Sequence, residues 1–324
     1  MISFRLLLSS AESIFMTSSV RPMLTLILSS TVALYGLEAQ AAEPNDEQET
    51  PVEVAQEQKE RQALEREAML NPVAITVYKR NYLMPYTYNT RPNDDAFRVI
   101  DPDNSVDRGE MKFQFSIKVG LIDGLFADNG DLYFGYTQRS WWQAYNADAS
   151  SPFRETNYEP ELFVSFDNSS RLWGWTNTAN RVGLVHQSNG RSDPLSRSWN
   201  RVYLDTIWQR GDWTASIEPF WRVPESADED DNPDIEDYVG YADLTFSYQY
   251  DNEHELAWLV RGNPSQGHMG FQVDYTFPLY GKVHGFLQYY EGYGESLIDY
   301  DHYNRRLGLG FSLNTTFLGI PDTI

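Results

Sequence analysis

The chain contains no cysteine, so no disulfide framework staples it and the redox character of its compartment leaves no mark in the sequence. Basic residues are also scarce. Lys and Arg number 25 against 47 Asp and Glu, a formal net charge of −22 over 324 residues. A surface of that sign repels phosphate backbones and argues against nucleic acid as a partner. Long apolar runs are missing too. The longest, Met23 to Leu37, falls short of the roughly 20 residues a membrane helix needs. With a mean hydropathy of −0.52, helical membrane spans are disfavoured. What is abundant is aromatic: 9 Trp and 21 Tyr supply rings with an apolar body and a polar tip.

Arg21 precedes the Met23–Leu37 run, and Ala39-Gln40-Ala41 follows it as a small-x-small cleavage pattern. Residues 1–41 therefore read as a signal peptide cut after Ala41, with Met16 as an alternative start, and the protein as exported. From Glu43 to Glu67 nine acidic and three basic residues give a net −6. Residues 42–72 hold helix formers with a thin apolar stripe, and read as an acidic tail, disordered or loosely helical.

Beyond Pro72 the pattern becomes short alternating runs separated by Asn, Asp, Gly and Pro. In Asp243–Tyr250, Leu244, Phe246, Tyr248 and Tyr250 share one face, while Asp243, Thr245, Ser247 and Gln249 share the other. Leu307–Phe317 alternates in the same way. Period-two alternation over about ten residues is what a strand with one apolar and one polar face requires. Twelve such runs fall near 78–88, 110–122, 130–142, 158–168, 179–188, 199–209, 212–223, 238–250, 254–262, 269–278, 282–291 and 304–317. An even strand count, export without a spanning helix and abundant Tyr and Trp predict an all-β fold. The fold expected for residues 73–324 is a twelve-stranded antiparallel transmembrane β-barrel, apolar outside and polar in the lumen. The alternative is a soluble exported sandwich or barrel with its apolar face inward. The tail Leu318–Ile324 departs from barrels that end on the aromatic residue of the last strand.

The segment HQSNGRSDPLSRSWNR, residues 186–201, carries the chemistry. Side chains two apart on a strand point to one face, with Cα atoms about 7 Å apart, so Ser188 can approach His186. An antiparallel neighbour could present Asn200 to the other ring nitrogen. That makes a nucleophile, a base and an orienting group. The bland reading is an ordinary polar strand end. Val182 and Leu184 share the face of His186 and Ser188, and Val202, Leu204 and Trp208 share that of Asn200. The constellation therefore lies on the apolar wall, where a polar cluster is expensive unless its members satisfy one another. A reactive group there implies a lipid substrate.

Gln138 sits on the face of Leu132, Phe134, Tyr136 and Trp142, an amide turned toward lipid. A copy of itself across a two-fold contact would satisfy it, which hints at a homodimer. The turn Gly190–Ser198, Ser150, Asp193 and the acidic loop Asp228–Asp234 (DEDDNPD) could offer oxygen ligands to a hard cation such as calcium. Alone, the acidic loop reads more simply as a solvated charge run.

Together with YTQRSWWQ (136–143), SSPFRETNYEP (150–160), DDNPD (230–234) and GYGESLIDY (292–300), this segment resembles the outer membrane phospholipase A family. The resemblance is spread over most of residues 78–317. It implies a twelve-stranded barrel in the cell outer membrane, depending on Ca2+ and active as a homodimer. The reaction implied is hydrolysis of acyl esters of phospholipids and lysophospholipids. It further implies Ser188 as nucleophile, His186 as general base, Asn200 as the group orienting the imidazole and the Gly190 amide as an oxyanion donor. Arg191, through its carbonyl, and Ser196 resemble calcium ligands, with Ser150 contributed across the dimer. Asp193 and Asp231 resemble a second calcium site, and Gln138 the interfacial glutamine. Two rival readings accompany it: a passive barrel of porin type, and a lipid A deacylase that pairs His and Ser on a barrel surface.

Overall fold

The computed structural model describes residues 75–313, apart from 128, 251–253 and 282. The signal peptide, the acidic tail, Phe317 and the segment 318–324 lie outside the described residues. In chain order the strands are β1 (Thr76–Val77), β2 (Tyr82–Asn89), β3 (Gly109–Ile122), β4 (Asp131–Trp142), β5 (Phe153–Asp167), β6 (Arg171–Leu172) and β7 (Trp175–Ser188). They continue as β8 (Ser198–Arg210), β9 (Trp213–Arg222), β10 (Ala242–Gln249), β11 (Glu255–Asn263), β12 (His268–Tyr280), β13 (Val283–Gly292) and β14 (Asn304–Ser312). Each long strand pairs antiparallel with its sequence neighbour. β14 returns to β2, and β3–β4 completes the ring, so twelve strands close without an edge. β1 and β6 are short additions against β3 and β7. Pro264–Gly267 is a turn in which the Gly267 N–H donates to the Pro264 carbonyl at 3.2 Å.

The predicted strand at 238–250 starts late. Residues Ile235–Val239 form a short helix, α2, which ends at Gly240 with φ of +72°. A Cβ at Gly240 would stand 1.9 Å from the Gly262 carbonyl oxygen, so only glycine fits this crossing. The long β2–β3 connection holds another helix unforeseen from the alternation, α1 (Asp94–Ile100). The Asn93 side chain caps it by accepting the Ala96 N–H at 3.1 Å, and Phe97 is buried from it.

Which face points inward is now decided. Leu83, Phe115, Phe134, Leu162, Val182, Leu184, Ile217, Leu307, Leu309 and Phe311 are all exposed on the outer wall. The lumen instead buries Glu110, Lys112, Arg154, Glu159, Asp274 and Arg306. A water-soluble sandwich would invert this arrangement, and that reading is excluded. Toward the long-loop end the lumen is closed by a network of charges. Arg306 donates to Glu110 at 2.6 Å, Glu295 at 2.8 Å and Thr87 at 3.0 Å. Arg154 bridges Glu110 at 3.0 Å and Asp299 at 2.6 Å, while Lys112 reaches Glu295 at 3.1 Å. Glu295 and Asp299 belong to the β13–β14 loop, whose residues 294–300 are buried across the mouth of the barrel.

The two ends differ. At one, β8–β9 is joined by residues 211–212 and β12–β13 by residues 281–282. At the other lie the longer connections 90–108, 143–152, 189–197, 223–241 and 293–303. Short turns on one side and long loops on the other are the pattern of outer-membrane barrels, with the long loops outside the cell.

Candidate active site

Strands β7 and β8 meet at this long-loop end, with His186 directly opposite Asn200 and Ser188 opposite Ser198. Their side chains follow the outward series begun by Val182 and Leu184, both exposed, whereas Val185 and Gln187 turn inward and are buried. His186 Nδ1 and Asn200 Oδ1 are 2.9 Å apart. An amide oxygen can only accept, so this contact puts a proton on Nδ1 and leaves Nε2 as the basic nitrogen. Ser188 is half-buried two residues along the same face, and its hydroxyl makes no hydrogen bond among the described residues. Gln187 accepts from Trp199 Nε1 at 2.7 Å and donates to Glu159 at 3.0 Å, anchoring the hairpin from inside.

The loop after Ser188 is braced by a residue that sequence reading passed over. Buried Asn189 accepts the N–H groups of Arg191 at 3.3 Å and Arg197 at 3.0 Å, and donates to the Leu195 carbonyl at 2.8 Å. Gly190 follows with φ of +64°, a left-handed conformation that suits glycine, and is exposed two positions after Ser188. The Arg191 guanidinium crosses to β5, donating to the carbonyls of Phe153 at 2.9 Å and Arg154 at 2.8 Å.

Ser196 donates to Asp231 at 2.5 Å, bringing together one residue from each of the two expected calcium sites. Asp193 is exposed in the same loop as Ser196. Among the described residues no cluster of three or more His, Cys, Asp or Glu is placed to hold a metal. The Ser196 hydroxyl and the Asp231 carboxylate gathered here are hard oxygen donors of the kind calcium takes. Ser150 is exposed on the β4–β5 loop. It and Ser151 have φ of 60° and 51°, two successive non-glycine residues in left-handed backbone, costing about 1–2 kcal/mol each. Such strain concentrates where side chains are held for a task.

The acidic loop is not the solvated charge run its composition suggests. Asp230 pairs with Arg222, Asp231 with Ser196, and Asp234 with the Tyr300 hydroxyl. Gln138 does face outward, yet its amide already has local partners. The Tyr136 hydroxyl donates to Oε1 at 3.1 Å, and Nε2 donates to Ser140 at 3.2 Å. A second copy is thus not needed to satisfy it. One residue unforeseen from sequence is Glu225, which accepts from Asn200 Nδ2 at 2.9 Å. Only folding places it there, 25 residues further along the chain.

A family model described as Phospholipase A1 matches residues 58–313. Phospholipase A1 of Klebsiella pneumoniae is 42% identical over 247 residues, covering 76% of this chain and 85% of its own. Among solved structures, outer membrane phospholipase A from Escherichia coli is 40% identical with a TM-score of 0.71, covering 75% of this chain and 99% of its own. The Salmonella typhi outer membrane phospholipase dimer with bound calcium gives the same identity and score, over 75% of this chain and 93% of its own.

Proposed function

This chain belongs to the phospholipase A1 family, and on that premise we propose that it hydrolyses phospholipid and lysophospholipid acyl esters through Ser188, His186 and Asn200. It is a phospholipase and an outer membrane β-barrel protein. The observation that carries the finer reading is the 2.9 Å contact of His186 with Asn200 on the outward, apolar wall. Lipid acyl chains lie against that wall, at the end bearing the long loops, so the substrate comes from the outer leaflet.

In this mechanism His186 Nε2 takes the Ser188 proton as Oγ attacks the acyl carbonyl. The Gly190 N–H donates to the oxyanion of the tetrahedral intermediate. His186 then protonates the departing glycerol oxygen, and water, activated by the same nitrogen, releases the fatty acid from the acyl-enzyme. Asn200 fixes ring orientation and tautomer, though as a neutral group it stabilises the imidazolium less than a carboxylate. Calcium, when bound, supplies positive charge near the developing oxyanion. Arg191, through its carbonyl, and Ser196 would hold it, with Ser150 of a second copy. Asp193 and Asp231 would form a second site.

The reading extends to regulation: substrate always surrounds the wall, and a dimer that completes the calcium site would be the switch, with Gln138 at the contact. Residues 1–41 are proposed as the export signal and 42–72 as an acidic extension. The test is fatty-acid release from phosphatidylethanolamine micelles by the refolded protein, with calcium or chelator, alongside Ser188→Ala. Release that requires both calcium and Ser188 is expected. Release by Ser188→Ala would discard the nucleophile, and release under chelator would discard the metal.

A further inference from the structure

We infer that Glu225 is a positioning residue for the hydrolytic site, setting the orientation of the Asn200 amide and, through it, the tautomer of His186. The inference rests on the assignment of Ser188, His186 and Asn200 above. An asparagine amide has two ends of nearly equal shape and opposite hydrogen-bonding character. If Nδ2 faced His186, the ring would have to accept at Nδ1 and carry its proton on Nε2. That is the tautomer that cannot remove a proton from Ser188. Something must therefore tell Asn200 which way to turn.

Glu225 supplies that instruction. Its Oε1 stands 2.9 Å from Asn200 Nδ2, and a carboxylate can only accept, so the nitrogen end is drawn to it and Oδ1 is left for His186 at 2.9 Å. The placement is built into the backbone. The Val223 N–H donates to the Asn200 carbonyl at 2.8 Å, extending the β8–β9 ladder by one pair beyond Arg222. Glu225, two residues on, comes to the face that carries Asn200. Its side chain is 18% exposed, dry enough for the contact to persist. Glu225 Oε2 is buried, makes no hydrogen bond among the described residues and lies 3.9 Å from Arg222 Nη2. Arg222 is itself held by Asp230 and by the Asn232 carbonyl at 3.1 Å. Its charge therefore stays beside the carboxylate without taking Oε1 away from Asn200.

The relay is thus Glu225 to Asn200 to His186, in which a carboxylate acts one residue removed from the imidazole. It leaves the neutral asparagine correctly turned and lends it some negative charge. Glu225 touches neither substrate nor the reacting atoms, so its removal should lower kcat and spare KM.

The experiment compares wild type with Glu225→Ala, Glu225→Gln, Asn200→Ala, the Asn200→Ala/Glu225→Ala double variant and Ser188→Ala. All are refolded full chains in phosphatidylethanolamine micelles with calcium, and folding is checked by the gel shift of the heated and unheated barrel. Expected is a fall in kcat of about 10- to 100-fold for Glu225→Ala, as for outer partners of a ligating histidine, with KM nearly unchanged. Glu225→Gln should keep most activity, because its amide oxygen still accepts from Asn200. In the Asn200→Ala background the second replacement should cost nothing further. Histidine 15N spectra, which need no turnover, should show Nδ1 protonated in wild type and a mixed signal in Glu225→Ala. Wild-type kcat in Glu225→Ala, or an equal loss with and without Asn200, would overturn the inference. So would a Glu225→Gln as poor as Glu225→Ala. Turnover surviving in Ser188→Ala would instead remove the assignment beneath it.

Discussion

The lumen of the barrel and the outer face of β7 and β8 obey opposite rules. Inside the barrel, charges near the mouth are bound from several sides: Arg306 has three partners, and Glu110 receives both Arg306 and Arg154. Outside, the polar groups form one thread from Glu225 through Asn200 to His186, and the Ser188 hydroxyl is left free of protein partners among the described residues. Multiply bonded charges make a rigid scaffold, because breaking one contact weakens the pairing of a charge held in a low-dielectric surrounding. A hydroxyl free of protein partners, two residues along the face from an imidazole held by Asn200, suits the nucleophile proposed above. One barrel wall serves both needs, because successive strand residues alternate between its two faces.

Replacing groups on each face should therefore have different consequences. The largest effect belongs outside. Ser188→Ala should lower turnover by about 10³-fold or more while the barrel melts as before, measured by fatty-acid release and thermal gel shift. Inside, Arg306→Met leaves Glu110 ion-paired with Arg154 alone and Glu295 with Lys112 alone, and should cost about 3 kcal/mol in urea unfolding from micelles. Activity per folded molecule should survive. A comparable loss of turnover at full stability would show that lumen and wall are not separable.

Acid offers a milder probe of the inner network. Burial alone would raise the Glu295 carboxyl, but the Arg306 guanidinium and the Lys112 ammonium beside it prevail and hold it down to about 2. Burial acts on Asp299 in the same sense, and Arg154 outweighs it there. A carboxylate with a folded pKa below its unfolded value of about 4.3 contributes stability that is fully present above that value. That stability is lost as pH falls toward 2, on the order of 3 kcal/mol for Glu295. Unfolding free energy measured across that window should drop in wild type and drop less in Glu295→Gln. A flat profile in wild type would contradict the network. Smallest is the expected effect of Gln138→Ala. Because the amide has partners within its own strand, its loss should weaken the proposed dimer, read by crosslinking, by only about 1 kcal/mol. Unchanged yield would remove it from the contact.

The sequence made the walls legible and the braces invisible. Alternation placed Val182, Leu184, His186 and Ser188 on one face because strand geometry has a fixed period of two, and the structure keeps that face outward. Strand ends were less readable. The run expected from 238 begins at 242, since α2 ends at Gly240, whose close approach to the backbone carbonyl of residue 262 is a contact that local pattern cannot weigh. Glu225 and Asn189 escaped for the same reason. Each matters through the partner that folding brings to it, not through a spacing. The acidic loop misled because composition reports charge, whereas Asp230, Asp231 and Asp234 are tied to Arg222, Ser196 and Tyr300.

The most direct measurement of the central claim is covalent labelling of the folded protein by a long-chain alkyl sulfonyl fluoride in calcium-containing micelles, with the modified residue located by mass spectrometry. The account predicts a single adduct on Ser188, abolished by His186→Ala and slowed by Asn200→Ala. An adduct on another residue, or loss of turnover with Ser188 unlabelled, would contradict it.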